Sequence, residues 1–158
     1  MTRARSRTSA PRVSALEDHL GYWLRFVSNH VSQAFVDKLA TRDVTVPEWV
    51  VLRLLHEGPQ NPSWLAEQLR MTRGAVSKIV DRLGEKALVA RSQGEGDRRY
   101  QQVALTPQGS ALVPVLARLA DDNDEEFFGH LGAADRRTLS RVLQEIVARR
   151  GLAEVPVE

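Results

Sequence analysis

The chain has 158 residues, 42% of them hydrophobic and 27% charged, and no cysteine, the composition of a globular domain able to bury roughly two-thirds of its unfolded surface without a staple. Disulfide frameworks, thiolate zinc sites, cysteine nucleophiles and thiol-based redox sensing are excluded at once. The net charge is only +2, but the basic residues cluster: Arg3, Arg5, Arg7 and Arg12 have no acid among them, and residues 70–99 hold eight Lys or Arg against four Asp or Glu, a pattern shared by nucleic-acid readers and by ordinary solvated faces.

Residues 1–12 read as a disordered basic tail, either a source of phosphate contacts or a passive end. They lack the apolar core of a secretory signal, and no stretch of the chain approaches the ~18 apolar residues of a membrane span. The expected location is therefore cytoplasmic, with no membrane partner. A long helix over about 14–41 follows, in which Leu16, Leu20, Trp23, Leu24, Val27, Val31, Phe35 and Leu39 recur at three- and four-residue spacing. Its apolar stripe is wide, so it must pack on something large.

Thr45-Val46-Pro47-Glu48 has capping-box spacing and opens a short helix with Trp49, Leu52 and Leu55 on its buried side; Gly58-Pro59 stops it. Asn61-Pro62 starts the next helix, with Leu65, Ala66 and Leu69 facing inward. The step Arg70-Met71-Thr72 leads to a helix capped by Thr72 and running to about Lys86. Strands near 88–92 and 100–105 flank a loop containing Gly94, Gly96 and Asp97. Thr106-Pro107 opens a second long helix, striped by Leu112, Val115, Leu116 and Leu119, which Pro114 should kink. A last helix, about 134–150, carries Leu139, Val142, Leu143, Ile146 and Val147.

The order α-α-α-α-β-β-α-α is mainly α (α+β): a winged helix-turn-helix over 45–105, flanked by helical segments at 13–44 and 106–150 that serve dimerisation, with a tail at 151–158. In projection, Val76, Ile79, Val80 and Leu83 anchor the helix 72–86 on one side. Gly74, Ser77, Lys78, Asp81, Arg82 and Glu85 fall on the other, with Arg73 at the edge of the first turn. Small and basic groups at its N-terminal end suit entry into a major groove, and the helix N-terminus favours a phosphate. The expected DNA-binding set is Thr72, Arg73, Gly74, Ser77 and Lys78, with Arg82, Lys86 and Arg98 on phosphates. Asp97-Arg98-Arg99 sits at the tip or base of the hairpin, where Arg99 can reach a minor groove and Asp97 can hold its guanidinium by a bidentate pair.

Asp97-x-Arg99, five residues, then Leu105-Thr106-x-x-Gly109 resembles the wing-to-helix signature of the MarR (multiple antibiotic resistance regulator) family. Leu65-Ala66-Glu67-Gln68-Leu69 and Val76-Ser77-Lys78-Ile79-Val80-Asp81-Arg82-Leu83 are similar to the two helices of that family's helix-turn-helix. The resemblance spans about residues 14–150. It implies a homodimeric repressor, built by interlocking first and last helices, that binds a near-palindromic DNA operator with Arg99 in the minor groove. Two departures stand out. Ala87 replaces the usual glycine after the recognition helix, and Trp64 sits where an acidic capping residue is common, either as a surface aromatic or packed toward the dimer arms.

The resemblance also implies a small-molecule effector in the cleft between the dimer helices and the winged domain. By position, Trp23, Phe26, Val27, His30, Trp49 and Arg53 are the expected lining, an aromatic wall with one Arg that suits an aromatic or anionic compound. No metal and no cofactor are expected: His19 and His30 are roughly 16 Å apart along a helix, and the run Asp121 to Glu126 lacks calcium-loop spacing. No Ser-His-Asp set, phosphate-cradling Gly-rich loop or paired carboxylates point to an enzyme. A winged helix that binds protein is the alternative, but it would not need both the Asp97/Arg99 wing and a basic recognition face. Arg99→Ala is expected to weaken operator binding by at least ~1–3 kcal/mol in a gel-shift titration while leaving fold and dimer intact.

Overall fold

A computed structural model of the chain describes residues 13–93 and 101–152. The expected basic tail at 1–12, residues 153–158 of the expected C-terminal tail, and Asp97, Arg98 and Arg99 lie outside the described residues. Within them the element order is α1 (Leu20–Ala40), α2 (Val46–Leu55), α3 (Pro62–Leu69), α4 (Arg73–Glu85), β1 (Val89–Gln93), β2 (Gln101–Leu105), α5 (Pro107–Phe128) and α6 (Ala133–Arg150). α1 begins later than the periodicity predicts. A 3-10 turn over Leu16–Asp18 precedes it, and His19 between them is extended. The Asp18 carboxylate accepts from the Ala15 amide at 3.0 Å, a local bond that competes with helix continuation. α5, by contrast, runs through Pro114 as one helix.

The helix starts follow from side-chain caps. Thr45, Asn61, Thr72 and Thr106 accept from the amides of Glu48, Trp64, Ala75 and Gly109 at 3.4, 2.7, 3.2 and 3.0 Å. Each satisfies one of the amide donors that a helix N-terminus leaves without a partner. α3 ends on Arg70 in the left-handed conformation, and Met71 donates back to the Ala66 carbonyl at 3.0 Å. That tight reversal turns the chain from α3 into α4.

One core joins α2, α3, α4 and the sheet. Val51, Leu52 and Leu55, Leu65 and Leu69, and Val76, Ile79, Val80 and Leu83 are all buried, together with Leu88, Val103, Val113 and Leu116. β1 and β2 are antiparallel, in register from Val89 opposite Leu105 to Gln93 opposite Gln101. Gln60 pairs with the other side of β2 as a one-residue bridge, exchanging both backbone bonds with Val103 at 3.0 and 2.8 Å. A lone residue between Pro59 and Asn61 carries no strand signal, so this bridge is invisible to periodicity.

The wing joins α5 by close backbone packing. Ala87 adopts φ +55°, the left-handed region where glycine is normal. The Thr106 hydroxyl donates to the Ala87 carbonyl at 2.7 Å, and the Thr106 amide donates to the Leu88 carbonyl at 3.0 Å. A Cβ on Gly109 would overlap that Leu88 carbonyl, so glycine is required there by space.

α1 is tied to α5 through buried Asn123. Its amide donates to the Val31 carbonyl at 3.2 Å, and its side-chain oxygen accepts from Lys38, which also pairs with Glu126 at 2.6 Å. The apolar stripes at the two ends of the chain are a different matter. Of the eight stripe residues read in the first helix, Leu39 alone is buried, and no residue of α6 is. Leu20 is 81% exposed, and Leu139, Val142, Leu143, Ile146 and Val147 are 38–46% exposed.

Ala87→Gly should remove the left-handed strain and raise stability by about 0.5–1 kcal/mol, read as a higher urea midpoint at fixed protein concentration.

Candidate nucleic-acid interface

α4 is held from behind and free in front. Val76, Ile79, Val80 and Leu83 key it into the core, while Thr72, Arg73, Gly74, Lys78 and Arg82 are exposed. Space is open around Gly74, where even an added Cβ would meet nothing within 4 Å. The N-terminal turn can therefore approach another surface closely. Arg82 lies back along its own helix, its Nε donating to the Lys78 carbonyl at 3.3 Å. The exposed front thus carries three cations along its length: Arg73 in the first turn, where the helix dipole is positive, Lys78 in the middle and Arg82 in the last turn.

Lys86 does not belong to that front. It was expected on a phosphate, but its ammonium turns inward, donating to Glu48 at 3.1 and 3.2 Å and to the Asp43 carbonyl at 2.5 Å. Glu48 is 1% exposed. A carboxylate removed from water requires a partner, and Lys86 supplies it. Glu48 also accepts from the Thr45 amide at 2.8 Å, completing the capping box of α2. One buried carboxylate thus fixes the start of α2 and the C-terminal end of α4 together.

Ser77 is half-buried rather than fully presented. Its hydroxyl accepts from the Arg91 guanidinium of β1 at 3.3 Å, and the same group pairs with Asp81 at 2.7 Å. Arg91 was not among the residues singled out from sequence. Its only signal there is a cation at the third position of a strand, which could equally be a solvated side chain.

The expected effector lining is not assembled. A cavity of about 300 Å³ opens between α1, α2 and α5, walled by Val31, Phe35, Val46, Trp49, Val50 and Ala120, with Ser32, Asn123 and Asp124 as its polar members. Of the six residues named from sequence, only Trp49 is in it. Trp23 donates to the Glu17 carbonyl at 3.0 Å, and the His30 ring bonds the Phe26 carbonyl at 2.7 Å. With Phe26 and Val27 they lie on the uncovered face of α1. Arg53, the expected anion partner, pairs with Glu57 at 2.6 Å on the exposed side of α2. That hydrogen bond and charge hold the Glu57 carboxyl below the usual carboxylate range. Trp23, Phe26, Val27 and His30 lie on a different part of α1 from the cavity-lining Val31, Ser32 and Phe35, and the sequence does not say which part meets α2.

The acidic run at the end of α5 does find the partners its charge suggests. Arg136 of α6 reaches Asp124 and Glu125, both at 3.1 Å. Among the described residues no group of His, Asp or Glu is arranged to hold a metal, and no helix is long and apolar enough to cross a membrane.

Residues 44–100 match the model of the MarR family. The chain is 26% identical over 151 residues to the HTH-type transcriptional repressor NicR of Pseudomonas putida, covering 93% of this chain and 96% of that one. Its fold is similar to that of a mutant MarR from E. coli complexed with operator DNA, with TM-score 0.70, 26% identity, and 81% and 93% of the two chains covered. It is also similar to CouR from Rhodococcus jostii RHA1 bound to p-coumaroyl-CoA, with TM-score 0.71, 26% identity, and 85% and 95% covered.

Glu48→Gln should cost about 1–3 kcal/mol by leaving Lys86 without its buried counter-charge, measured by chemical denaturation. Lys86→Gln should lower stability similarly while leaving the salt dependence of DNA binding unchanged, because the Lys86 ammonium is already held by Glu48 and Asp43.

Proposed function

We propose that the chain is a MarR-family transcriptional regulator, a homodimeric repressor of a near-palindromic DNA operator released by a small apolar effector, a reading supported by the family match over residues 44–100 and the similarity to the repressor NicR. The observation that carries the DNA reading is the division of labour on α4. Four buried aliphatic residues fix the helix, and its small and cationic residues face outward, with Arg73 and Gly74 at the end where the dipole is positive. Thr72, Arg73, Gly74, Ser77 and Lys78 are assigned to the major groove and Arg82 to a phosphate. Arg98 and Arg99 of the wing, with Asp97, extend the contact to the flanking backbone and minor groove.

Dimerisation is supported by the uncovered apolar residues on α1 and α6. Leu20, Trp23, Leu24, Val142, Ile146 and Val147 all remain 39–81% exposed in one chain. Contiguous apolar surface of that kind marks an interface, and residues on the first and last helices of one subunit can be covered together by the same helices of a second copy. Two α4 helices held about 34–36 Å apart then meet successive major grooves. A compound entering the cavity between α1, α2 and α5 would wedge the dimer helices away from the winged domain and change that spacing. The cavity's Trp49 and Phe35 favour a planar apolar group, and Asn123 and Ser32 offer it hydrogen bonds.

The test is Ile146→Asp, measured by analytical ultracentrifugation and gel shift. The wild-type chain should sediment as a dimer. The variant should sediment as a monomer with intact helicity and bind the operator at least about tenfold more weakly, because the two half-sites are no longer engaged together. A monomeric wild type, or a monomeric variant with unchanged operator affinity, would overturn the dimeric reading.

A further inference from the structure

We propose that Arg91 is a positioning residue that makes Ser77 a hydrogen-bond donor to DNA, so that the operator carries an acceptor edge, and not the cytosine amino group, opposite Ser77. The inference rests on the reading of α4 as the recognition helix and adds a specificity device to it.

Arg91 stands on β1 and reaches across to α4. Its guanidinium is anchored by Asp81 at 2.7 Å, a charge-assisted bond to a carboxylate one helical turn beyond Ser77. From that anchor the same Nη2 donates to the Ser77 hydroxyl at 3.3 Å and to the Ser77 carbonyl at 3.5 Å. A serine hydroxyl has one hydrogen to donate and two lone pairs to accept with. Serines on helices commonly turn that hydrogen back onto the carbonyl of the preceding turn. Here a cation occupies one side of the oxygen, accepts nothing, and repels the hydroxyl hydrogen. The hydrogen therefore swings to the exposed side of α4, toward whatever the helix faces.

In a major groove, guanine offers N7 and O6, adenine N7 and thymine O4, all acceptors; cytosine alone offers only a donor, its N4 amino group. With one lone pair held by Arg91 and its hydrogen turned outward, the hydroxyl meets the groove as a donor first, and cytosine, which offers it no acceptor, is disfavoured at the contacted position. Asp81 has a second effect. It neutralises Arg91, so this guanidinium brings no net charge to a phosphate. Exposed ion pairs contribute little to folding, and Arg91 is 38% exposed with Asp81 at 54%, so the pair's consequence is the direction of the Ser77 hydroxyl rather than stability.

The experiment enriches a randomised duplex pool on the full chain, wild type and Arg91→Ala, with Arg91→Lys and Asp81→Asn alongside. Expected for the wild type is a preferred site with one position depleted about tenfold in cytosine. Arg91→Ala should reduce that depletion to about twofold and weaken the preferred site about three- to tenfold. The salt slope should not change, and melting should move by less than about 2 °C. Ser77→Ala should remove the same base preference, and adding Arg91→Ala to it should have no further effect on that position. Arg91→Lys should restore part of the depletion. A salt slope reduced by about one would make Arg91 a phosphate contact and overturn the proposal. So would unchanged base preference in Arg91→Ala beside a wild type that selects its site. A wild-type chain that enriches no sequence would overturn the DNA-binding reading itself, and this inference with it.

Discussion

Glu48 lies almost out of reach of water, and its carboxylate accepts from two groups, the Thr45 amide and the Lys86 ammonium, while its own backbone amide donates to the Thr45 hydroxyl to complete the capping box. The presentation of α4, the proposed recognition helix, depends on this arrangement. α4 could roll or slide on an aliphatic interface at modest cost, since contacts among Val76, Ile79, Val80 and Leu83 are not directional. A buried carboxylate is directional. It must have Lys86 at hydrogen-bond distance, and Lys86 is the residue on which α4 ends. The aliphatic face sets the depth of the helix, and the ion pair sets its rotation and register against α2. Asp43, just before α2, accepts from the same ammonium, so the exit from α1 is tied in as well.

The opposite end of the winged domain is fixed by steric fit instead of charge. After α4 the chain reverses through left-handed Ala87, and the Thr106 hydroxyl closes the reversal from the far side of the wing. Gly109 lets α5 lie against the Leu88 carbonyl. The sheet, the end of α4 and the start of α5 thereby form one rigid corner. Gln60 clips the segment before α3 to β2. Motion of α5 is then felt at the wing, which gives a physical route from the cavity between α1, α2 and α5 to the proposed DNA-binding face. Asn123 and Lys38, which brace α1 against α5 beside that cavity, lie on the same route.

The terminal helices obey another constraint. No residue of α6 is buried within one chain, although its apolar residues keep the three- and four-residue spacing of a core helix. A helix with such a stripe gains its stability from what covers it. Its polar side does engage the chain, through Arg136 on the acids of α5. The charged contacts therefore orient the arm, and the apolar stripe stays exposed, as the proposed dimer requires.

What the sequence determined by itself is whatever acts over a few residues. The four side-chain caps, the aliphatic anchor of α4 and the tight turn before it are local, because a helix period and an N-cap bond are completed within one turn. The wide stripes on the end helices were legible for the same reason. Only the tertiary structure decided where each long side chain ends. Lys86 looked like a phosphate ligand until Glu48, 38 residues earlier in sequence, claimed its charge. Arg91 looked like a solvated strand residue until Ser77 and Asp81 received it. Trp23, Phe26, Val27, His30 and Arg53 have the chemistry of a binding wall, but their helices turn those side chains elsewhere. A flexible charged or aromatic side chain takes its partner from whatever folding brings within a few ångströms, and that proximity is a property of the packed elements, not of the residue.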